Sequence, residues 1–382
     1  MKKKILRVCG LVSTVMILSL SACSANQEES KAPETTAKAD MNEDVSPADK
    51  ASEEESDDEV GGAEIQSEVT AEGSESDVDV TEIRIQHAFG ETVLEKKPER
   101  VVTIAWENGD TPLALGIVPV GISESNYGAE TKNHLHAWTD EAFSVLGVDT
   151  PNVFDDTAGW DYEAIADTNP DVILCAYSGL SQEEYDRLSQ IAPTVPYKEK
   201  PWQTTWRDQT IENARALGME EEGKNLVDQT DVLIKEKLKD YPSIAGKKTA
   251  FCWVDASDMS TFYIYLNTDP RAAYLEDLGL AVPDSVKALT ENADDFSITV
   301  SRENTDQLND VEMMIVYGDQ SLLDAMQADE LMKQIPAVRD GAVVLLDSTG
   351  NLAAGTTPSI LSIPYNLDEY LSVIDEAAKK VQ

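Results

Sequence analysis

Leu113-Ala114-Leu115-Gly116-Ile117-Val118-Pro119 and Leu275-Glu276-Asp277-Leu278-Gly279-Leu280-Ala281-Val282-Pro283 read as one structural phrase written twice. Each has an apolar helix end, a glycine suited to the left-handed C-cap and an apolar run that reads as a strand. A second echo lies further along. Tyr162-Glu163-Ala164-Ile165 leads into Asn169-Pro170-Asp171-Val172-Ile173-Leu174. Ser301-Arg302-Glu303 leads into Asn309-Asp310-Val311-Glu312-Met313-Met314-Ile315-Val316. A short helix ahead of a buried strand, twice over, predicts two related halves.

On either side of these phrases, short apolar runs alternate with helical patterns, which predicts an α/β protein of two Rossmann-like lobes with mainly parallel sheets. Strands are expected at 100–105, 118–122, 171–176, 194–197, 248–254, 313–317 and 342–346. Helices are expected at 111–115, 162–168, 183–190, 271–278, 302–308 and 366–380. Between the halves, Ile211, Ala214, Leu217, Leu226, Val232, Leu233 and Leu238 recur at near-helical spacing in a charged stretch. Residues 203–240 therefore read as a stiff helical bridge, interrupted at Gly218 and Gly223, between an N-terminal lobe (81–202) and a C-terminal lobe (241–382).

The N-terminus carries a different message. Lys2-Lys3-Lys4 and the apolar run from Val8 to Leu20 form a secretory signal over residues 1–22, too short to span a bilayer as a stable anchor. It ends in Leu20-Ser21-Ala22-Cys23, which resembles the bacterial lipobox; acylation of Cys23 would tether the mature chain to a membrane. Residues 24–80 hold nineteen Asp/Glu against three Lys and no Phe, Tyr or Trp. Such a tract buries too little apolar area to offset its ordering entropy, so 23–80 reads as a lipid-anchored, disordered acidic linker.

Of the net charge of −42, about −30 falls on the folded part. That acidity argues against nucleic acid and against anionic lipid as partners of the folded surface. Cys175 and Cys252 each sit in an apolar strand-like run and read as small buried hydrophobes rather than a disulfide or metal pair.

The opening Ile85-Gln86-His87-Ala88-Phe89-Gly90-Glu91-Thr92-Val93 with Lys97-Pro98-Glu99-Arg100-Val101-Val102 is similar to that of iron–siderophore substrate-binding lipoproteins of ABC importers. The segments 113–121, Glu163 ahead of 169–174, Ala192-Pro193-Thr194-Val195, Pro201-Trp202-Gln203 to Trp206, and Ser362-Ile363-Pro364-Tyr365-Asn366-Leu367-Asp368 fit the same pattern, in order. The resemblance implies two α/β lobes joined by one long helix, the class III periplasmic-binding-protein architecture, with a small hinge motion. It implies an Fe(III)-siderophore held between the lobes, no tightly bound cofactor, and delivery to an ABC permease dimer with a cytoplasmic ATPase. It also implies a monomer on the extracytoplasmic face of the cell membrane, with Glu163 and Glu303 docking into arginine pockets of the permease. Haem and cobalamin binders share the scaffold and form the nearer alternative.

In such a protein, ligand contacts come from loops at the C-terminal ends of strands. Those loops contain Trp106 and Glu107, Trp160, and Tyr177 with Ser178; Trp202 and Trp206 precede the bridge. On the second lobe they contain Trp253, Phe262, Tyr263, Tyr265, Arg271 and Tyr317. Aromatic faces suit large, planar chelates and arginine suits their oxygens. The siderophore holds the iron, so His87, His134 and His136 read as ordinary strand and loop residues rather than a metal site. A metal-dependent hydrolase is the reading from another class. Against it, the chain carries no Gly-x-Ser-x-Gly elbow, His-Glu-x-x-His pair or phosphate-binding loop, and the expectation is no enzyme.

Overall fold

The computed structural model describes residues 82–128, 130–290 and 295–382; the expected signal, Cys23 and the whole acidic tract lie outside the described residues. The strands are β1 (Ile83–His87), β2 (Gly90–Leu94), β3 (Val101–Thr103), β4 (Gly121–Ser123), β5 (Val153–Phe154), β6 (Val172–Cys175), β7 (Thr194–Pro196), β8 (Thr249–Val254), β9 (Thr261–Tyr265), β10 (Ser297–Ser301), β11 (Met313–Tyr317) and β12 (Val343–Leu346). β1 and β2 form an antiparallel hairpin beside the first large sheet.

The first sheet has the order β5-β4-β3-β6-β7, all parallel. Its centre, Val172-Ile173-Leu174-Cys175, is buried on both faces, which is why it reads as one continuous apolar run. The second sheet has the order β10-β9-β8-β11-β12. Here β8, β11 and β12 are parallel, but β9 is antiparallel to both β8 and β10. Only the turn Asp255–Ser260 joins β8 to β9, and a parallel crossover needs about a dozen residues or more. Asp255 and Asp258 pin that turn by accepting the backbone N–H groups of Ser257 and Ser260. The expectation of mainly parallel sheets therefore holds fully for the first lobe and for one side of the second.

The repeated phrase is real at its helix end. Helix Asp110–Ala114 closes at Gly116 (φ +79°) with Ile117 N donating to Pro112 O at 2.8 Å. Helix Pro270–Asp277 closes at Gly279 (φ +78°) with Leu280 N donating to Leu275 O at 3.0 Å. Both are Schellman closures, which only glycine enters without strain. The copies diverge afterwards: the first continues to β4, whereas the second leaves a single bridge between Ala281 and Lys248. The second echo also holds, as helix Tyr162–Asp167 before β6 and a 3₁₀ segment Arg302–Leu308 before β11. Helix Ala137–Val145 had no clear sequence signal.

The bridge is not one rod. Residues 203–240 form helix Trp206–Ala216, a reversal at Leu217-Gly218-Met219, and the 18-residue helix Glu220–Lys237, extended by a 3₁₀ turn Leu238–Asp240. Gly218 breaks the chain as expected, with φ +61°. Gly223 does not: it lies inside the longer helix where a Cβ would collide with that of Ala214. Its smallness lets the two helices pack side by side, so a residue read as a breaker is a packing contact. Gly223→Val should destabilise the protein by about 1–3 kcal/mol through overpacking. Urea unfolding measures this, and a midpoint equal to that of the wild type would contradict the close approach.

Candidate functional site

Rings from both sheets form one unbroken series. Tyr177 meets Trp202 edge-on at 5.4 Å, Trp202 meets Trp106 at 6.0 Å, and Trp106 stacks on Tyr127 at 6.4 Å with planes 16° apart. Tyr127 crosses to the second lobe, where Tyr317 meets it edge-on at 5.5 Å. Phe251 then links Tyr317 to Tyr265, at 5.4 and 5.5 Å. These residues sit at or beyond the C-terminal ends of β3, β4, β6, β7 and β11, or on the same face of β8 and β9. Offset and edge contacts at such distances are each favourable by about 0.5–1.5 kcal/mol beyond area burial. Further out, Trp253 and Tyr263 pair across β8 and β9 at 5.5 Å and are 39% and 40% exposed, so the aromatic surface continues to solvent.

The series ends on Arg271. Its guanidinium lies 3.9 Å from the Tyr265 ring centroid and is only 12% exposed. Asp269, fully buried, grips it in a two-pronged contact of 2.8 and 2.6 Å while capping helix Pro270–Asp277. Burial opposes the Arg271 charge, but Asp269 holds its pKa well above the ordinary value. Burial pushes the hydroxyls of Tyr127, Tyr177, Tyr265 and Tyr317 upward, Tyr265 to about 12, so all four are neutral donors at physiological pH. Tyr317 also shares a hydrogen bond with Thr356 at 3.0 Å. The site is apolar, lined with neutral hydroxyls, and carries one internally answered positive charge.

Trp106 is presented by a strained loop. Ala105 and Glu107 on either side both have φ of 60°, a region costing non-glycine residues about 1–3 kcal/mol each. Asn108, fully buried, holds the loop in place. Its Nδ2 donates to Ile104 O and Tyr177 O, both at 2.9 Å, and its Oδ1 accepts from Tyr177 N at 3.1 Å. From helix Trp206–Ala216, Gln209 adds a bond to Trp106 O at 3.0 Å. Asn108 and Gln209 had no sequence signal, because a side-chain amide looks the same in sequence whether it braces the fold or faces water. Tyr127 is legible only as an aromatic in the loop that follows a strand. Gly179 is as necessary: a Cβ there would run into the Trp202 indole nitrogen.

Several expected contacts lie elsewhere. Trp206 is 2% exposed, packed in the second-lobe core with Tyr274 and Leu278, and donates to Asp277 at 3.0 Å. It is a core residue. Trp160 donates to Glu184 and packs on Ile165 and Leu188 within the first lobe, apart from the ring series. Phe262 faces the opposite, fully buried side of its strand, because successive side chains alternate. Glu107 turns inward and is 4% exposed, paired with His136 at 3.0 Å. The other histidines serve separate partners, His87 with Thr92 and His134 with Glu130. Cys175 and Cys252 are both free and buried. Glu163 and Glu303 are exposed, each in the first turn of its helical segment. Both segments start at the sheet edge that carries the rings, since β10 runs in the same sense as β8.

Removing Asp269 would strand a buried guanidinium. Asp269→Ala should destabilise the protein by about 3–5 kcal/mol. A loss under about 1 kcal/mol in urea unfolding would show that the pair is not buried as described. Gly179→Ala should displace the Trp202 ring and change the intrinsic tryptophan emission while the fold persists. An unchanged spectrum would count against the contact.

A family model described as periplasmic binding protein matches residues 101–349. The chain is 28% identical over 313 residues to the probable siderophore-binding lipoprotein YfiY of Bacillus subtilis (strain 168), covering 78% of this chain and 89% of that one. It is 26% identical to the Fe(3+) dicitrate-binding periplasmic protein FecB of Escherichia coli (strain K12), covering 69% and 84% of the two chains. Among solved structures, PiaA of Streptococcus pneumoniae TIGR4 in complex with ferrichrome is 46% identical, with a TM-score of 0.76, over 78% of this chain and 100% of that one. Two α/β lobes meeting at a cleft, with the family match running through both, lead to one conclusion: this chain belongs to the periplasmic binding protein family.

Proposed function

We propose that the chain captures a ferric siderophore of the hydroxamate class in the aromatic cleft and delivers it to an ABC permease, in a binding rather than a catalytic role. The observation that carries this is the charge state of the cleft. Arg271 is neutralised by Asp269, and the aromatic wall brings no further cation. A ferric tris-catecholate is strongly anionic and would meet no uncompensated positive charge in a chain of net charge −42. A ferric tris-hydroxamate is neutral. Its apolar periphery suits the rings, and its oxygens suit the guanidinium and the tyrosine hydroxyls. The relationship to the ferrichrome-bound PiaA structure supports the same class. Iron here is cargo, held by its chelator, and the reading requires no resident cofactor.

Trp106, Tyr127, Tyr177, Trp202, Tyr265, Arg271 and Tyr317 would form the inner contact surface, with Trp253 and Tyr263 at the mouth. In this reading Cys23 carries the lipid, the acidic tract spaces the lobes from the membrane, and the protein works as a monomer on the extracytoplasmic face. Among the described residues no helix is long and apolar enough to cross a membrane. Glu163 and Glu303, one exposed carboxylate per lobe, would set the register on the permease.

Titration with ferrichrome should quench tryptophan emission saturably, and an excess of ferric tris-catecholate should not compete. Efficient catecholate competition would overturn the class. Trp106→Ala should weaken ferrichrome binding by about ten-fold or more, on a scale of about 1–3 kcal/mol for a buried aromatic contact. Glu163→Ala combined with Glu303→Ala should abolish cellular uptake and leave that affinity intact; normal uptake by the pair would refute the docking role.

A further inference from the structure

Beneath the ring series lies a buried polar cluster that capture of cargo does not by itself require. His136 is 8% exposed and uses both ring nitrogens. Nδ1 meets Glu107 Oε1 at 3.0 Å, and Nε2 donates to the backbone carbonyl of Tyr127 at 2.9 Å. One partner is the residue next to Trp106 and the other is Tyr127 itself, so a single imidazole ties down both members of the stacked pair. A neutral imidazole has one N–H, and serving a carboxylate and a carbonyl together requires two. The doubly protonated ring is the species that fits.

We propose that His136, as an imidazolium, is a positioning residue for the cleft: it clamps the Trp106 loop and the Tyr127 loop together, so that loss of its proton loosens the aromatic wall and weakens capture of cargo. The inference rests on the cleft being the binding site.

The surroundings favour that state. Glu107 faces the ring from the β3 loop, and Asp110 follows from helix Asp110–Ala114. A cavity beside His136 is lined by Glu124 from the loop after β4, and the second lobe contributes the uncharged Ala354 and Thr357 to it. The Trp138 ring lies 4.6 Å from the imidazole. Burial opposes the imidazolium, but Glu107 beside it and the Tyr127 carbonyl raise its pKa to about 9. Burial and the Glu107 charge push the Asp110 carboxyl well above the usual range, although Ser359 and Thr139 donate to it at 2.5 and 2.8 Å. Ser359 belongs to the second lobe, so the cluster also spans the junction. Because the folded value lies above the ordinary 6.5, the clamp is intact below about pH 6.5 and is lost as pH rises through about 9.

Ferrichrome affinity, read by tryptophan quenching, should be steady from about pH 6 to 8 and fall on the order of ten-fold by about pH 10. The cleft tyrosines stay protonated through that window. His136→Gln should bind more weakly at neutral pH and show no such fall. Glu107→Gln should move the fall toward lower pH, as the charge that raises His136 is gone. A residue with a merely structural role would lower affinity without shifting the profile, so identical profiles in wild type and Glu107→Gln would overturn the proposal. A ligand-free measurement separates failure of the clamp from failure of the cargo reading. In imidazole NMR, with His136→Gln for assignment, His136 should titrate near 9 and the Trp106 indole signal should shift with it. Should ferrichrome not bind the wild type at all, the cargo reading fails and this titration alone judges the clamp. Titration of His136 at or below its ordinary value, or a Trp106 signal indifferent to it, would defeat the inference.

Discussion

Arg207 is the pin on which the two lobes depend. From helix Trp206–Ala216, which packs on the first lobe, its guanidinium reaches Asp231 on the returning helix at 2.5 Å and Asp277 on the second lobe at 2.8 Å. The neighbouring Trp206 indole donates to that same Asp277 and lies beneath the guanidinium at 4.4 Å. One planar, forked cation can satisfy two carboxylates from different elements at once, which an ammonium on a flexible stem does poorly. The side-by-side packing of the helical pair, allowed by Gly223 against Ala214, brings Asp231 within reach. That ion triplet ties the second lobe to the helical connection.

That setting decides what the cleft can be. The aromatic series is continuous only because Tyr127 meets Tyr317 across the junction, close to where the loop at Gly128 presses on Ala354. A wall assembled in advance spares the ordering entropy that would otherwise be lost on binding. Arg271 is answered by Asp269 and Glu107 pairs with His136, so the polar groups beside the wall find their partners within the protein. The local strain at Ala105 and Glu107 is offset by the Asn108 bonds, which is how a bulky indole comes to stand at the mouth of a buried strand.

The parts of this protein that were legible in advance are those governed by short-range rules. Glycine at a helix end predicted the two matching closures at Gly116 and Gly279, because the left-handed conformation is a local requirement. The apolar run Met313–Tyr317 predicted its strand end for end. Arg271 was legible from its place at a helix start, whereas the strand that carries Tyr265 had no clear signal in the sequence. By contrast, Trp206 and Trp202 lie four residues apart in similar polar surroundings, yet one is core and the other stands in the ring series. Nothing local separates them, since burial depends on which distant element arrives. Glu107, expected in the cleft, turns inward for a related reason: the left-handed backbone of this loop directs its side chain to the buried His136.

Amino-acid order alone determined that there would be two α/β halves, a helical connection between them, and a surplus of tryptophan and tyrosine at strand ends. Periodicity, capping and turn chemistry are properties of neighbours in the chain. The closed tertiary structure settled that the connection doubles back and that β9 runs against the parallel order. It alone also decided which rings touch, and that His136 lies buried under two of them. Those outcomes depend on contacts between residues far apart in the chain, and such contacts exist only once the whole core has closed.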